Sequence, residues 1–195
     1  MKQIVMLVIA VFVSVSQAFA TPMEDVKKTV DDVVRIVADK NGTNSGYKRR
    51  YALKQSVSRI FDYNEMSKRS LGKQWNQLDQ GEKKHFSGLF AELLENSYVG
   101  KIESYNNEKI VYLKELLDGD YAEVKSKVVT GKRDEYTLDY RLIRQNSTWM
   151  VYDIVIEGVS LVSNYRSQFV KIIKINGYAG LVKKLEAKNS ELKAL

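Results

Sequence analysis

Few residues in this sequence are of a type and spacing that could do chemistry. His85 is the single histidine, and in the charged stretch "GEKKHF" it reads as a solvated side chain. One histidine cannot build a multi-histidine metal site, and the absence of cysteine removes disulfides, thiolate ligands and a cysteine nucleophile. No H-E-x-x-H, G-x-S-x-G or phosphate-loop pattern occurs, so no catalytic residue and no metal site are expected. Ser160 stands at a strand-to-helix junction, where its hydroxyl suits a helix cap; no adjacent base is evident to make it a nucleophile. Asp153 lies inside the apolar run "YDIVIEG", and a carboxylate there needs a partner. Arg166 is the candidate for a structural pair with it, and a general base with a raised pKa is the competing reading.

The elements that position these residues follow from composition and pattern. The chain has 195 residues, 44% hydrophobic and 28% charged, which suits one domain with a sizeable core. Lys2, an apolar run over residues 4–15 and "AFA" at 18–20 read as a secretory signal peptide over 1–20, leaving a single domain at 21–195. The leader's run is too short to span a bilayer comfortably, and no later segment could. A bacterial-style leader with no anchor predicts a soluble periplasmic protein. The formal charge is +7, and losing Lys2 with the leader leaves +6. Such a surface favours anionic partners; export makes nucleic acid the poorest of these, and no nucleic-acid partner is expected.

Helical spacing covers residues 25–40, with Val26, Val30, Val33, Val34 and Val37 on one stripe. A second helix is predicted over 47–60 with Tyr51, Leu53, Val57 and Ile60 inward, and a short one over 64–71. "DQGE" at 79–82 reads as a capping box opening a long helix to about 105. From residue 109 the period falls to two. "KIVYLKELL", "YAEVKSKVVTG", "DEYTLDYRLIRQ" and "TWMVYDIVIEG" are four strands in succession, with Asp118-Gly119 a hairpin turn. Two closing helices follow, at 160–174 and 177–188. The fold class is therefore α+β, a helical layer on a curved antiparallel four-stranded sheet. Both faces of "YDIVIEG" are largely apolar, and the chain carries twelve tyrosines, side chains suited to a cavity wall. A completely filled core explains these residues equally well at this point.

Two segments carry a resemblance. "FDYNEMSKRSLGKQWNQLDQGEKKHFSGLFAELLENSY" (61–98) and "WMVYDIVIEGVSLVSNYRSQF" (149–169) closely resemble the MlaC family, also called the toluene-tolerance family of periplasmic lipid-transfer proteins. The pattern runs through Phe61, Asp62, Met66, Leu71, Gly72, Trp75, Phe86, Phe90 and Tyr98. It continues through Trp149, Tyr152, Asp153, Glu157, Gly158, Ser160, Asn164, Arg166 and Phe169 to "GYAGLVKKL" (177–185), covering nearly all of the mature chain. The resemblance implies a fold akin to the nuclear transport factor 2-like and cystatin-like class, enclosing an apolar lipid cavity. It implies a carrier with bound phospholipid as ligand and no cofactor. Its partners would be an inner-membrane ABC transporter complex with its lipid-binding substrate protein, and an outer-membrane lipoprotein complex. Such a system maintains lipid asymmetry of the outer membrane.

Given a cavity, the periods select its wall: Val124, Leu138, Tyr140 and Val155 from the sheet, Leu161, Tyr165 and Phe169 from the closing helix, Phe90 and Leu94 opposite. Two other readings stay open. A hopanoid-related carrier is one, because relatives of this type occur in hopanoid gene contexts. A small-molecule enzyme of isomerase or dehydratase type is the other, resting on fold analogy alone. No phosphate cradle is legible, so the resemblance leaves a lipid headgroup near the cavity mouth.

Overall fold

The computed structural model describes residues 20–39, 46–105 and 108–194. Apart from Ala20, the expected signal peptide lies outside the described residues. Helix α1 (Pro22–Ala38) starts three residues before the apolar stripe suggests. Thr21 accepts from the Glu24 N–H while Glu24 Oε2 accepts from the Thr21 N–H at 2.8 Å, and Pro22 is preset at the first helical position. Helix α2 (Tyr47–Ser58) and helix α3 (Tyr63–Leu71) follow, the latter running on into a 3-10 turn at Gly72–Gln77. Helix α4 (Gln80–Glu103) opens on the Asp79/Glu82 capping box that "DQGE" indicates.

Strands β1 (Lys109–Asp118), β2 (Tyr121–Val129), β3 (Glu135–Gln145) and β4 (Thr148–Ile156) form an antiparallel meander. Asp118 pairs with Tyr121 across Gly119, whose φ of +57° suits the tight turn. The sheet has a fifth strand beyond the expected four, β5 (Val159–Ser160). It is two residues long, too short for periodicity to register. It folds back on β4 through Glu157 and Gly158, both at positive φ. Helix α5 (Leu161–Lys193) turns at Gly177, with φ +69°, where two closing helices were expected.

Burial divides the molecule into two main cores. Helices α3, α4 and α5 enclose Met66, Leu71, Trp75, Phe86, Phe90, Phe169 and Leu181. The inner face of the sheet buries Val124, Leu142 and Val151 with Val26 of α1 and Ile60. A smaller cluster of Val37, Leu53 and Val99 ties α1, α2 and α4 together. Glu115 of β1 accepts from the Met23 N–H at 2.7 Å, a carboxylate set at the positive end of α1.

Strand β4 explains the two apolar faces of "YDIVIEG". Arg141 pairs with Asp153 but Leu142 pairs with Val151, so Tyr152 is an extra residue in a bulge. The bulge resets the alternation: Val151 joins Ile154 and Ile156 on the inner face, while Asp153 shares the outer face with Val155. Tyr152 packs under the Arg69 guanidinium, 4.0 Å from its ring centroid. On its far edge, β4 is covered by β5 and by residues 60–62. The Val151 N–H donates to the Ile60 carbonyl at 2.7 Å, and the Asp62 N–H donates to the Val151 carbonyl at 2.9 Å.

The expected Asp153–Arg166 pair is corrected. Asp153 is buried, and its carboxylate accepts from the Ser160 hydroxyl at 2.6 Å, the Val162 N–H at 3.0 Å and Arg141 Nη1 at 3.2 Å. Arg141 wins because the strand register sets it directly opposite Asp153. Arg166 lies instead over Gly72, where a Cβ would come within 3.1 Å of its guanidinium; Gly72 also has φ +56°. Ser160 caps α5, its Oγ accepting from the Ser163 N–H at 3.0 Å.

Asp153→Asn leaves the buried donors short of a charged acceptor and should cost about 2–3 kcal/mol. Arg166→Met, at an exposed position, should cost far less. Thermal denaturation of the two variants checks this: equal losses would restore Arg166 as the partner.

Candidate binding cavity

Between the inner face of the sheet and helices α1, α2 and α4 lies a cavity of about 510 Å³. Each wall comes from one stripe of its element. Val26, Val30, Val33 and Val34 project from α1, and Leu53 and Val57 from α2. Leu94, Tyr98 and Ile102 follow a strict four-residue step along α4. From the sheet come Val128, Leu138, Tyr140, Val151, Ile154 and Ile156. The register confirms a common face, because Tyr140 pairs with Ile154 and Leu138 with Ile156. The more exposed wall residues, Lys101, Ser104, Tyr136 and Ile156, gather where the C-terminus of α4 meets the sheet end. That end is the mouth.

A connected polar group, from three helices, interrupts the apolar wall away from the mouth. The Tyr63 hydroxyl hydrogen-bonds the Glu95 carboxylate, and Lys54 Nζ stands 3.9 Å from Glu95 Oε2 and 2.6 Å from Asn96 Oδ1. Burial raises the Glu95 pKa above the usual glutamate value. Lys54 and the Tyr63 hydrogen bond oppose that shift, and Glu92 adds to it. Burial chiefly, with the Glu95 charge, pushes the Tyr63 hydroxyl upward. Tyr140 is raised as well, by burial first and by Tyr112 and Tyr136 next. Among the described residues no group of three or more His, Cys, Asp or Glu side chains could hold a metal ion.

The residues expected from periodicity divide between wall and core. Leu94, Leu138, Tyr140 and Leu161 line the cavity. Phe90, Tyr165 and Phe169 do not; they interlock between α4 and α5, Phe90 sitting 5.1 Å from Tyr165 and 5.3 Å from Phe169 in edge-on contacts. Period 3.6 identified their buried stripe but not which neighbour buries it. Val124 is fully buried in the sheet core with Val26 and Tyr140, beneath the wall rather than in it. Val155 is buried on the opposite face from Ile154, because neighbouring side chains of a strand alternate. Tyr51, expected inward on α2, is 57% exposed, since Leu53 and Val57 take the buried side. His85 is exposed, 3.7 Å from Glu186. The valine stripe of α1 and the Leu94–Tyr98–Ile102 stripe of α4 were readable as second apolar faces. The Tyr63–Glu95–Lys54 group, drawn from three helices, left no local signal.

The sequence matches the family model described as MlaC protein over residues 27–187. It is 26% identical over 126 residues to the intermembrane phospholipid transport system binding protein MlaC of Haemophilus influenzae, a match covering 62% of this chain. The matched region is 59% of that relative's length. Its fold is similar to that of a phospholipid-binding protein from Ralstonia solanacearum, solved in complex with a phospholipid. The TM-score is 0.77 at 28% identity, over 87% of this chain and 97% of the other.

Glu95 binds its proton more tightly in the fold than in the unfolded chain. Its contribution to stability is therefore full below the unfolded glutamate pKa of about 4.3 and is lost as pH rises through the higher folded value. The melting temperature of the native protein minus that of Glu95→Gln should be larger near pH 4 than at pH 7. A difference that stays constant over this range would place the carboxyl in water.

Proposed function

Because the chain belongs to the MlaC family, we propose that it is a non-enzymatic phospholipid carrier of the periplasm, with acyl chains held in the cavity between α1, α2, α4 and the sheet. The observation that carries this reading is the cavity itself: an open space walled by aliphatic and aromatic side chains, in a fold shared with a protein solved with phospholipid. A carrier is needed because lipids do not cross water unaided. Two chains of roughly thirty methylenes, at ~0.8 kcal/mol each, cost on the order of 20 kcal/mol to expose. A preformed apolar pocket removes most of that barrier.

In this reading Leu94, Leu138, Tyr140 and Leu161 contact the acyl chains, joined by the valines of α1 and by Ile154 and Ile156. The headgroup lies at the mouth near Lys101, partly in water, which predicts little choice between phosphatidylethanolamine and phosphatidylglycerol. Asp153 and Ser160, the two residues that catalysis could have claimed, are engaged in holding β4 to α5. The leader at 1–20 would deliver the protein to the periplasm. There it would shuttle lipid between an outer-membrane lipoprotein complex and an inner-membrane ABC transporter with its lipid-binding substrate protein. The net charge would speed encounters with anionic partner surfaces, a rate effect screened by salt.

Native mass spectrometry of the protein secreted by a bacterial host tests the proposal directly: phospholipid of both headgroup types should co-purify. Leu138→Trp and Ile156→Trp, which place indoles in the cavity, should each lower lipid occupancy severalfold while the melting temperature changes little. An empty native protein, or folded tryptophan variants with undiminished lipid, would refute the proposal.

A further inference from the structure

We infer that the outward face of α2 is a membrane-docking surface, which sets the cavity mouth against an anionic phospholipid bilayer. The inference rests on the carrier reading and adds which face meets the membrane while the partner complexes there hand lipid over.

Residues 47–60 have no acidic side chain, and of their cations Lys48, Arg50 and Arg59 are exposed while Lys54 turns inward to Glu95. Tyr47 and Tyr51 stand on the same face, four residues apart, and are 82% and 57% exposed. Lys48 and Arg50 are exposed beside them. Tyrosine rings with polar tips suit the headgroup layer of a bilayer, and lysine and arginine alongside suit anionic lipid. The combination is a surface that water solvates poorly at the rings and that a negative bilayer complements in charge.

The position of the face gives it a function. The reverse side of α2 contributes Leu53 and Val57 to the cavity wall. Arg50 pairs with Glu103 at 3.1 Å, which joins α2 to the end of α4 that supplies Lys101 and Ser104 to the mouth. The pair also neutralises Glu103, and Lys101 adds a cation to a cavity lining that includes Glu108. A bilayer resting on Tyr47 and Tyr51 therefore lies beside the opening, which holds the mouth at the membrane surface where the partner complexes sit.

Vesicle flotation of the full secreted chain tests the inference. The protein should float with vesicles containing phosphatidylglycerol, bind vesicles of phosphatidylcholine much more weakly, and lose binding as salt rises. Lys48→Glu should weaken binding at least about fivefold, since each cation near an anionic surface contributes about that factor. Tyr47→Ser combined with Tyr51→Ser should weaken it severalfold. Neither substitution lies in the cavity wall, so melting temperature and co-purifying lipid should stay as in the native protein. Absence of binding to phosphatidylglycerol vesicles, equal binding to neutral ones, or undiminished binding by both variants would overturn the inference. A failure of the carrier reading is seen separately, as a native mass spectrum without phospholipid.

Discussion

Side chains that line open space forgo partners on one side, and helices over a sheet tend to close any gap left between them. A cavity of this size persists only where its walls are held apart by packing that is complete elsewhere. Here α4 and α5 are fixed to each other by Phe86, Phe90, Tyr165 and Phe169, and the sheet has its own inner core around Val124, Leu142 and Val151. The cavity is the space between two filled cores. The aromatic residues that a first reading assigns to the wall are thus doing something else: they hold the wall in place.

Strand β4 links the two cores, and its bulge decides what each side chain meets. Without the extra residue at Tyr152, Val151 and Ile154 would point to opposite faces. With it, both reach the cavity, and Asp153 turns toward the start of α5. Its carboxylate then gathers a strand arginine, a capping serine and a helix N–H. A charge buried in this way is tolerated because a charged guanidinium, a hydroxyl and an otherwise orphaned helix N–H all donate to it. The same residue fixes the angle at which α5 leaves the sheet.

The polar group within the wall and the basic helix outside it come from the same elements. Helix α2 sends Lys54 inward to Glu95 and leaves Tyr47 and Tyr51 in water. The half-buried Glu95 carboxylate is costly in an apolar setting, and Lys54 and the Tyr63 hydroxyl offset part of that cost. Cavity, mouth and outer face are in this sense one construction, arranged around a single short helix.

Much of the fold was legible along the chain, because periodicity, caps and turns are local. "DQGE" set the start of α4, the period of two set four strands, and Asp118-Gly119 set a turn. The family resemblance carried by residues 61–98 and 149–169 is borne out by the match over residues 27–187. Other features depended on contacts between distant segments. β5 is too short to leave a period, and the bulge at Tyr152 is visible only in the register with β3. The sequence alone marked Phe90 and Leu94 as apolar residues on one helix. Only the tertiary structure sent Phe90 into α5 and Leu94 into the cavity, because adjoining stripes of a helix are distinguished by what packs on them. Likewise it required a partner for Asp153, while the choice of Arg141 over Arg166 came from strand pairing, which brings residues twelve apart face to face.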